Sequence, residues 1–147
     1  MMKNKFVNAY MDTAKRFAQL SSAKRLQVGA IIVKDDRIIS IGYNGTPTGW
    51  PSNNCEDPDG ITLPCVIHAE SNAITKVARS NESCEGATLF CTHTPCIECS
   101  KLICQSGITT VYIGETYVSR GGKPSGIPLL KQMQVSLEIL DENDSQE

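Results

Sequence analysis

Apolar residues recur at helical spacing near the start of the chain. Phe6, Tyr10, Ala14, Phe17 and Ala18 fall on one stripe, which predicts an amphipathic helix over 3–20. "QVGAIIVKDDRIISIGYNG" reads differently: two apolar, β-branched runs flank the charged turn Lys34–Asp36, as in a β-hairpin. From Thr46 to Pro64 the periodicity disappears and Pro, Gly, Asn and Asp dominate. A loop of that length inside a folded domain is more often functional than idle. "HAESNAITKVAR" returns to helical spacing, with Ala69, Ala73 and Val77 in line and Ile74 beside them. "GATLFCT" then reads as a strand, and "PCIECSKLICQSG" as a helix opened by Pro95 and closed by Gly107. "ITTVYIGE" is a further strand, "GGKPSGIPLLKQM" a Gly-rich loop leading into a short helix, and "VSLEIL" a last strand. The segment 141–147, "DENDSQE", reads as a solvated acidic tail.

After the hairpin, strands and helices alternate, which predicts an α/β fold whose sheet has parallel members and helices on its faces. Neither a repeat nor a linker interrupts the pattern, so 1–147 is expected to form one domain.

Composition narrows the function classes. Hydrophobic residues make up 40% of the chain and charged residues 20%, as in ordinary globular proteins. A net charge of −2 offers no basic footprint for nucleic acid or an anionic membrane, although small anionic ligands stay open. No apolar run approaches the roughly twenty residues a membrane helix needs. The charged, amphipathic N-terminus does not read as a signal peptide. The expected setting is the cytoplasm, where Cys55, Cys65, Cys84, Cys91, Cys96, Cys99 and Cys104 would be thiols or metal ligands rather than a disulfide framework.

Two of those cysteines carry the first chemical signal. Cys96 and Cys99 fall on the first turn of a predicted helix, whose N-terminus favours the thiolates that metals need. Alone, a C-x-x-C also fits a redox pair, half of a structural zinc site, or two buried small residues. His68 adds a third donor, although a histidine at a helix start serves equally well as a cap, and Glu70 as a first-turn acid. On an ideal helix these two would point to nearly opposite sides. They share a site only at a splayed first turn, and "VIHAE" places them there. Three donors leave one position of tetrahedral zinc open, the mark of a catalytic rather than a structural site. Closing it would need Cys91, His93, Cys55 or Cys65, none of which stands at a standard ligand spacing.

Zinc nucleobase deaminases share H-x-E with P-C-x-x-C, the glutamate moving protons rather than binding metal. "HAE" and "PCIEC" thus resemble the cytidine/deoxycytidylate deaminase superfamily. "HAESNAI", "THTPCIEC", "RLQVGAIIV" and above all "GYNGTPTG" resemble its deoxycytidylate (dCMP) deaminase family, from about Lys5 to Leu140. The resemblance implies a three-layer α/β/α fold with a central mixed sheet of about five strands flanked by helices. It implies zinc-dependent hydrolytic deamination of dCMP to dUMP with release of ammonia, supplying dUMP for thymidylate synthesis. His68, Cys96 and Cys99 would hold one zinc and Glu70 would shuttle protons.

The same resemblance supplies candidate substrate contacts. The carbonyl around Thr94 would accept from the departing amine. Asn44 resembles an asparagine that binds the sugar hydroxyl, while "NG" is also a common turn dipeptide. Tyr117 resembles a tyrosine near the nucleotide, or is an ordinary strand-end aromatic. Arg25 and Lys123 are candidates for the 5′-phosphate, or are solvated surface charges. Many members are hexamers activated by dCTP and inhibited by dTTP, with Mg2+ on the effector phosphates. That implies effector contacts at Gly45, at Thr46 in the loop to Gly49, and at Arg79, which by position alone is a helix-end cation. A second, structural zinc of some relatives uses an insertion that this chain does not match, and His93 is its one other histidine, so a single zinc is expected.

Other readings stay open. A dCMP/dCTP bifunctional enzyme or a deaminase of modified dCMP would share these motifs. A tRNA adenosine deaminase would call for a basic surface. Free cytidine deaminases usually carry Cys in place of His68. A non-enzymatic zinc domain would be insensitive to replacement of Glu70.

Overall fold

The computed structural model describes residues 2–118 and 122–141. All of the acidic tail beyond Asp141 lies outside those residues. Helix α1 spans Asn4–Ala18 and is followed by strands β1 (Gly29–Lys34) and β2 (Arg37–Tyr43). Helix α2 (Ala69–Ala78) leads to β3 (Thr88–His93), and α3 (Ile97–Gln105) to β4 (Thr110–Glu115). Helix α4 (Ile127–Gln132) and β5 (Ser136–Ile139) complete the described chain. The strands form a five-stranded sheet in the order β2-β1-β3-β4-β5. β1 runs antiparallel to β2 and β3, whereas β3, β4 and β5 are mutually parallel. The alternation of strands and helices after the hairpin required such a mixed sheet.

Period-two alternation decides which residues face which helices. Ala30 and Ile32 of β1, Leu89 and Cys91 of β3, and Val111 and Ile113 of β4 pack with Ala69, Ala73, Val77 and Ile103, the inner stripes of α2 and α3. Their neighbours Ile31, Val33, Phe90 and Tyr112 face the opposite way, against Val7, Met11 and Ala14 of α1. The result is the expected three layers, with α1 on one face and α2 to α4 on the other.

The buried stripe of α1 differs from the expected one. Val7, Met11, Ala14 and Ala18 are buried, while Phe6 is 47% exposed beneath the Lys5 ammonium, 5.3 Å from its ring centroid. A side chain on Gly29 would strike the backbone of α1 at Ala14 and Ala18. The close approach turns the small alanine face inward and rotates Phe6 out.

The hairpin turn has Asp35 and Asp36 at φ 51° and 60°, the left-handed pair of a tight two-residue turn that matches strand twist. Gly107, at φ 93°, stops α3 by donating its N–H to Cys104 O. None of the described helices is long and apolar enough to cross a membrane.

Candidate active site

The site forms where β3 and β4 end and where α2 and α3 begin, the position at which open α/β sheets place their ligands. His68 is the residue before α2, at φ −70° and ψ 154°. Its extended backbone breaks the helical spacing and lets it share a site with Glu70 of the first turn. Cys96 holds the matching place before α3, at φ −73° and ψ 168°, so it precedes the helix that Cys99 joins. Both cysteines had been expected within the first turn. The displacement frees the Cys96 thiol to turn back toward His68.

The three donors converge. Nδ1 of His68 lies 3.5 Å from Cys96 Sγ and 3.3 Å from Cys99 Sγ, and all three ligand atoms fall within 4.8 Å of one another. Donors around tetrahedral zinc, bonded at 2.0–2.3 Å, stand roughly 3.3–3.8 Å apart. The cluster therefore fits zinc on geometry and donor chemistry alike. Among the described residues it is the one group of this kind.

Electrostatics match a metal centre. Hydrogen bonding from Cys99 brings the Cys96 thiol down to about 3, with His68 adding to the effect. Cys99 moves the opposite way, pushed up by the same bond and by burial, so the pair retains one proton. His68 is raised by its bond to Cys96, against the cost of burial. Glu70 is only 3% exposed, and that burial raises its carboxyl above the ordinary range, opposed by nearby His68. Ser71 Oγ sits 3.3 Å from Cys99 Sγ and completes the sulfur's surroundings.

A cavity of about 520 Å3 opens over this cluster. His68, Glu70 and Cys96 form its floor, and Asn44, Thr94, Tyr117, Arg25 and Lys123 also line it. The backbone explains their gathering. Tyr117 N–H donates to Thr94 Oγ1 at 2.9 Å, folding the segment after β4 over the site. Ile97 N–H donates to Pro124 O and Gly126 N–H to Pro95 O, which brings Lys123 to the rim. Asn44 uses its amide on the protein: Oδ1 accepts from Val28 N–H and Nδ2 donates to Leu26 O, both at 2.9 Å. These two bonds use one of the amide's two hydrogens and one of its oxygen's two lone pairs.

The three expected effector residues lie elsewhere. Gly45 pairs with Ile67 through the backbone and Thr46 Oγ1 donates to Ser52 O, both outside the cavity lining. Arg79 caps the far end of α2, roughly 15 Å along a ten-residue helix from His68. Glu56, to which sequence reasoning gave no role, also lines the cavity, as does His93, which it weighed only as a ligand to close the zinc site. His93 places Nε2 3.0 Å from Glu115 Oε1 and Nδ1 2.8 Å from Thr92 Oγ1, and its ring meets that of Tyr117 edge-on.

The family model for the "cytidine and deoxycytidylate deaminase zinc-binding region" matches residues 4–115. The chain belongs to this family. Among deaminase-family relatives, the deoxycytidylate deaminase of Mycobacterium phage D29 is 37% identical over 115 residues, covering 69% of this chain and 88% of its own. ComE operon protein 2 of Bacillus subtilis is 38% identical over 136 residues, 90% of this chain and 69% of that protein. In structure, the dCMP deaminase of cyanophage S-TIM5, solved with dCMP and dUMP, superposes with a TM-score of 0.89 at 47% identity, over 95% of this chain and 99% of that one.

Proposed function

We propose that this chain is a zinc-dependent dCMP deaminase, a hydrolase that converts dCMP to dUMP and ammonia. The observation that carries the reading is the buried carboxylate of Glu70 beside a three-donor His68–Cys96–Cys99 cluster, under a cavity that also holds the cations Arg25 and Lys123. The likeness to the cyanophage enzyme supports the choice of dCMP among cytosine substrates.

Zinc bound by His68 Nδ1 and the two sulfurs supplies activation of water near neutral pH. Glu70 accepts the water proton and donates it to cytosine N3, which makes C4 electrophilic. After water oxygen bonds to C4, Glu70 takes the remaining proton from that oxygen and delivers it to the exocyclic amine. The C4–N bond then breaks and ammonia leaves with uracil remaining. Burial suits Glu70 to this work, because raising the carboxyl makes its protonated form easier to reach than in an exposed carboxylate. The Thr94 carbonyl receives the amine's hydrogen bond, Asn44 and Tyr117 hold the sugar, and Arg25 and Lys123 meet the 5′-phosphate.

The enzyme is further proposed to be one cytoplasmic domain that assembles as a hexamer, activated by dCTP with Mg2+ and inhibited by dTTP. Gly45, Thr46 and Arg79 stand apart from the catalytic cavity, which suits contacts to an effector rather than to the substrate.

An ammonia-release assay on the zinc-loaded protein tests the reading, comparing dCMP, deoxycytidine, dCTP and adenosine, each with and without dCTP–Mg2+ or dTTP. Preferred turnover of dCMP, raised by dCTP and lowered by dTTP, is the expected result. Zinc-loaded protein that turns over no cytosine nucleotide would overturn it.

A further inference from the structure

Glu56 is a buried carboxylate with no place in the chemistry above. It sits in the loop between β2 and α2, is 7% exposed, and lines the catalytic cavity. Its oxygens accept backbone hydrogen bonds from two consecutive residues of another segment. Lys24 N–H reaches Oε1 at 3.2 Å and Oε2 at 3.1 Å, and Arg25 N–H reaches Oε2 at 3.2 Å. A second joint stands beside it: Ser22 Oγ donates to Asn53 O at 2.6 Å, and lies 3.4 Å from the buried Cys55 Sγ. Within the loop, Asn54 Oδ1 accepts from Glu56 N–H at 3.4 Å, and Leu63 N–H bonds Cys55 O at 2.8 Å, so the carboxylate projects from a braced turn. A separate hollow, lined by Lys24, Asn54, Asp57 and Gly60 among others, also has Glu56 in its wall. Glu56 thus stands as a partition, and the Lys24–Arg25 backbone is anchored to it.

A carboxylate in a cavity proposed to receive a phosphate is unexpected on charge alone, since like charges repel. Its engagement with two backbone amides resolves the conflict. Three N–H···O contacts of 3.1–3.2 Å converge on this one carboxyl group and tie the two consecutive amides to a single buried side chain. We infer that Glu56 is a positioning residue that gives the cavity its preference for a 5′-phosphate by pinning the backbone from which Arg25 reaches it. This rests on the dCMP reading and on Arg25 as a phosphate contact. Glu56 is given no part in the chemical steps and acts through the backbone it holds.

Glu56→Gln tests it. The replacement sets an amide NH2 group or a single oxygen against two N–H donors, so the anchor loosens with little change in volume. In zinc-loaded protein, KM for dCMP should rise roughly tenfold, as expected for loss of hydrogen bonds to a carboxylate, while kcat at saturation stays within about twofold. Turnover of deoxycytidine, which has no phosphate, should keep its kcat/KM. In an Arg25→Ala background the second substitution should add no further loss, because Glu56 acts through Arg25. Equal loss with both substrates, an unchanged KM for dCMP, or a full additional loss beyond Arg25→Ala would each overturn the inference. Should Glu56→Gln fail to fold, Ser22→Ala removes the neighbouring joint and carries the same test, with a smaller rise confined to dCMP expected and a rise shared by deoxycytidine overturning it. Wild-type protein inactive on dCMP would instead count against the proposed function.

Discussion

Asn44 Oδ1 accepts the backbone N–H of Val28 at 2.9 Å, locking the end of β2 onto the strand entering β1. The same side chain donates to Leu26 O, and its own carbonyl accepts from Ser21 Oγ at 2.7 Å. The turn reading of Asn44 thereby acquires its partners, and the sugar contact proposed above would fall to the donor and acceptor these bonds leave over.

Asn44→Ala leaves a backbone donor and acceptor without partners, each costing about 1–3 kcal/mol when buried and less at this half-buried site. A total loss near 2 kcal/mol is expected in urea unfolding. Asn44→Asp keeps the acceptor for Val28 but opposes Leu26 O with a second acceptor, so it should be less stable than wild type as well. Wild-type stability in both variants would show that the clamp seen here contributes nothing.

Glu70→Gln should abolish proton transfer and leave the metal in place. General acid–base groups contribute roughly 10²–10⁴-fold, and the proposed mechanism gives Glu70 several transfers, so a loss at or beyond the upper end is expected. Zinc content should stay at one per chain, because the carboxylate is not among the three converging donors. Metal analysis beside steady-state turnover reads both halves; joint loss of zinc and activity would place Glu70 among the ligands instead.

Cys99→Ala should do the reverse, removing zinc first and activity with it. Cys99 is 2% exposed, and its thiol is pushed up by its bond to Cys96 and by burial. Zinc must displace the proton this pair retains, so binding releases protons and weakens as the pH falls. At zinc a hundredfold above its dissociation constant, chelation should cost about 2.7 kcal/mol of stability, seen as a drop of several degrees in Tm. An unaltered Tm in excess chelator, with zinc confirmed gone, would show that the cluster does not couple metal to folding.

Much of this site was legible along the chain, and the reason is local. His68, Glu70, Cys96 and Cys99 announce themselves because two helix starts each carry a short motif, and helix starts are readable from sequence. The mixed sheet followed from alternation of element types. Tertiary contacts decided the rest. Which stripe of α1 turned inward depended on Gly29, whose missing side chain admits the helix backbone at Ala14. Glu56 looked like one more polar residue in a polar loop, because its partners, the amides of Lys24 and Arg25, lie about thirty positions earlier. No periodicity encodes a bond of that kind.

Gly42 shows the same dependence from the side of the sheet. A side chain there would strike Ala69 O and Ala73 N of α2, so β2 and the helix that carries Glu70 meet backbone to backbone. Gly42→Val should cost about 3 kcal/mol or more as overpacking, and should lower kcat by displacing the first turn of α2. Gly45→Ala, with open space around its position, is the control and should leave stability within about 0.5 kcal/mol. Similar unfolding midpoints for the two variants would show that the close approach is not needed.

His93 supplies a dependence on pH separate from the metal cluster. Burial lowers it below its ordinary value of 6.5; Glu115, 3.0 Å away, acts against that shift, and Lys15 adds to it. As the pH falls through about 6.5, the unfolded chain takes a proton there that the folded chain still refuses. The unfolded state then binds more protons, so stability drops as the solution is acidified, and the contribution is fully present only above that value. His93→Gln removes the titration and should lose less stability than wild type between about pH 7 and pH 5. Glu115→Gln should lower His93 further and carry the loss to still more acid pH. Urea unfolding of the three proteins across that range reads the difference between curves, in which protonation of His68 and release of zinc are common to all. Parallel curves for wild type and His93→Gln would mean that burial does not set the protonation of His93, and that its bonds to Glu115 and Thr92 hold the ring equally well charged or neutral.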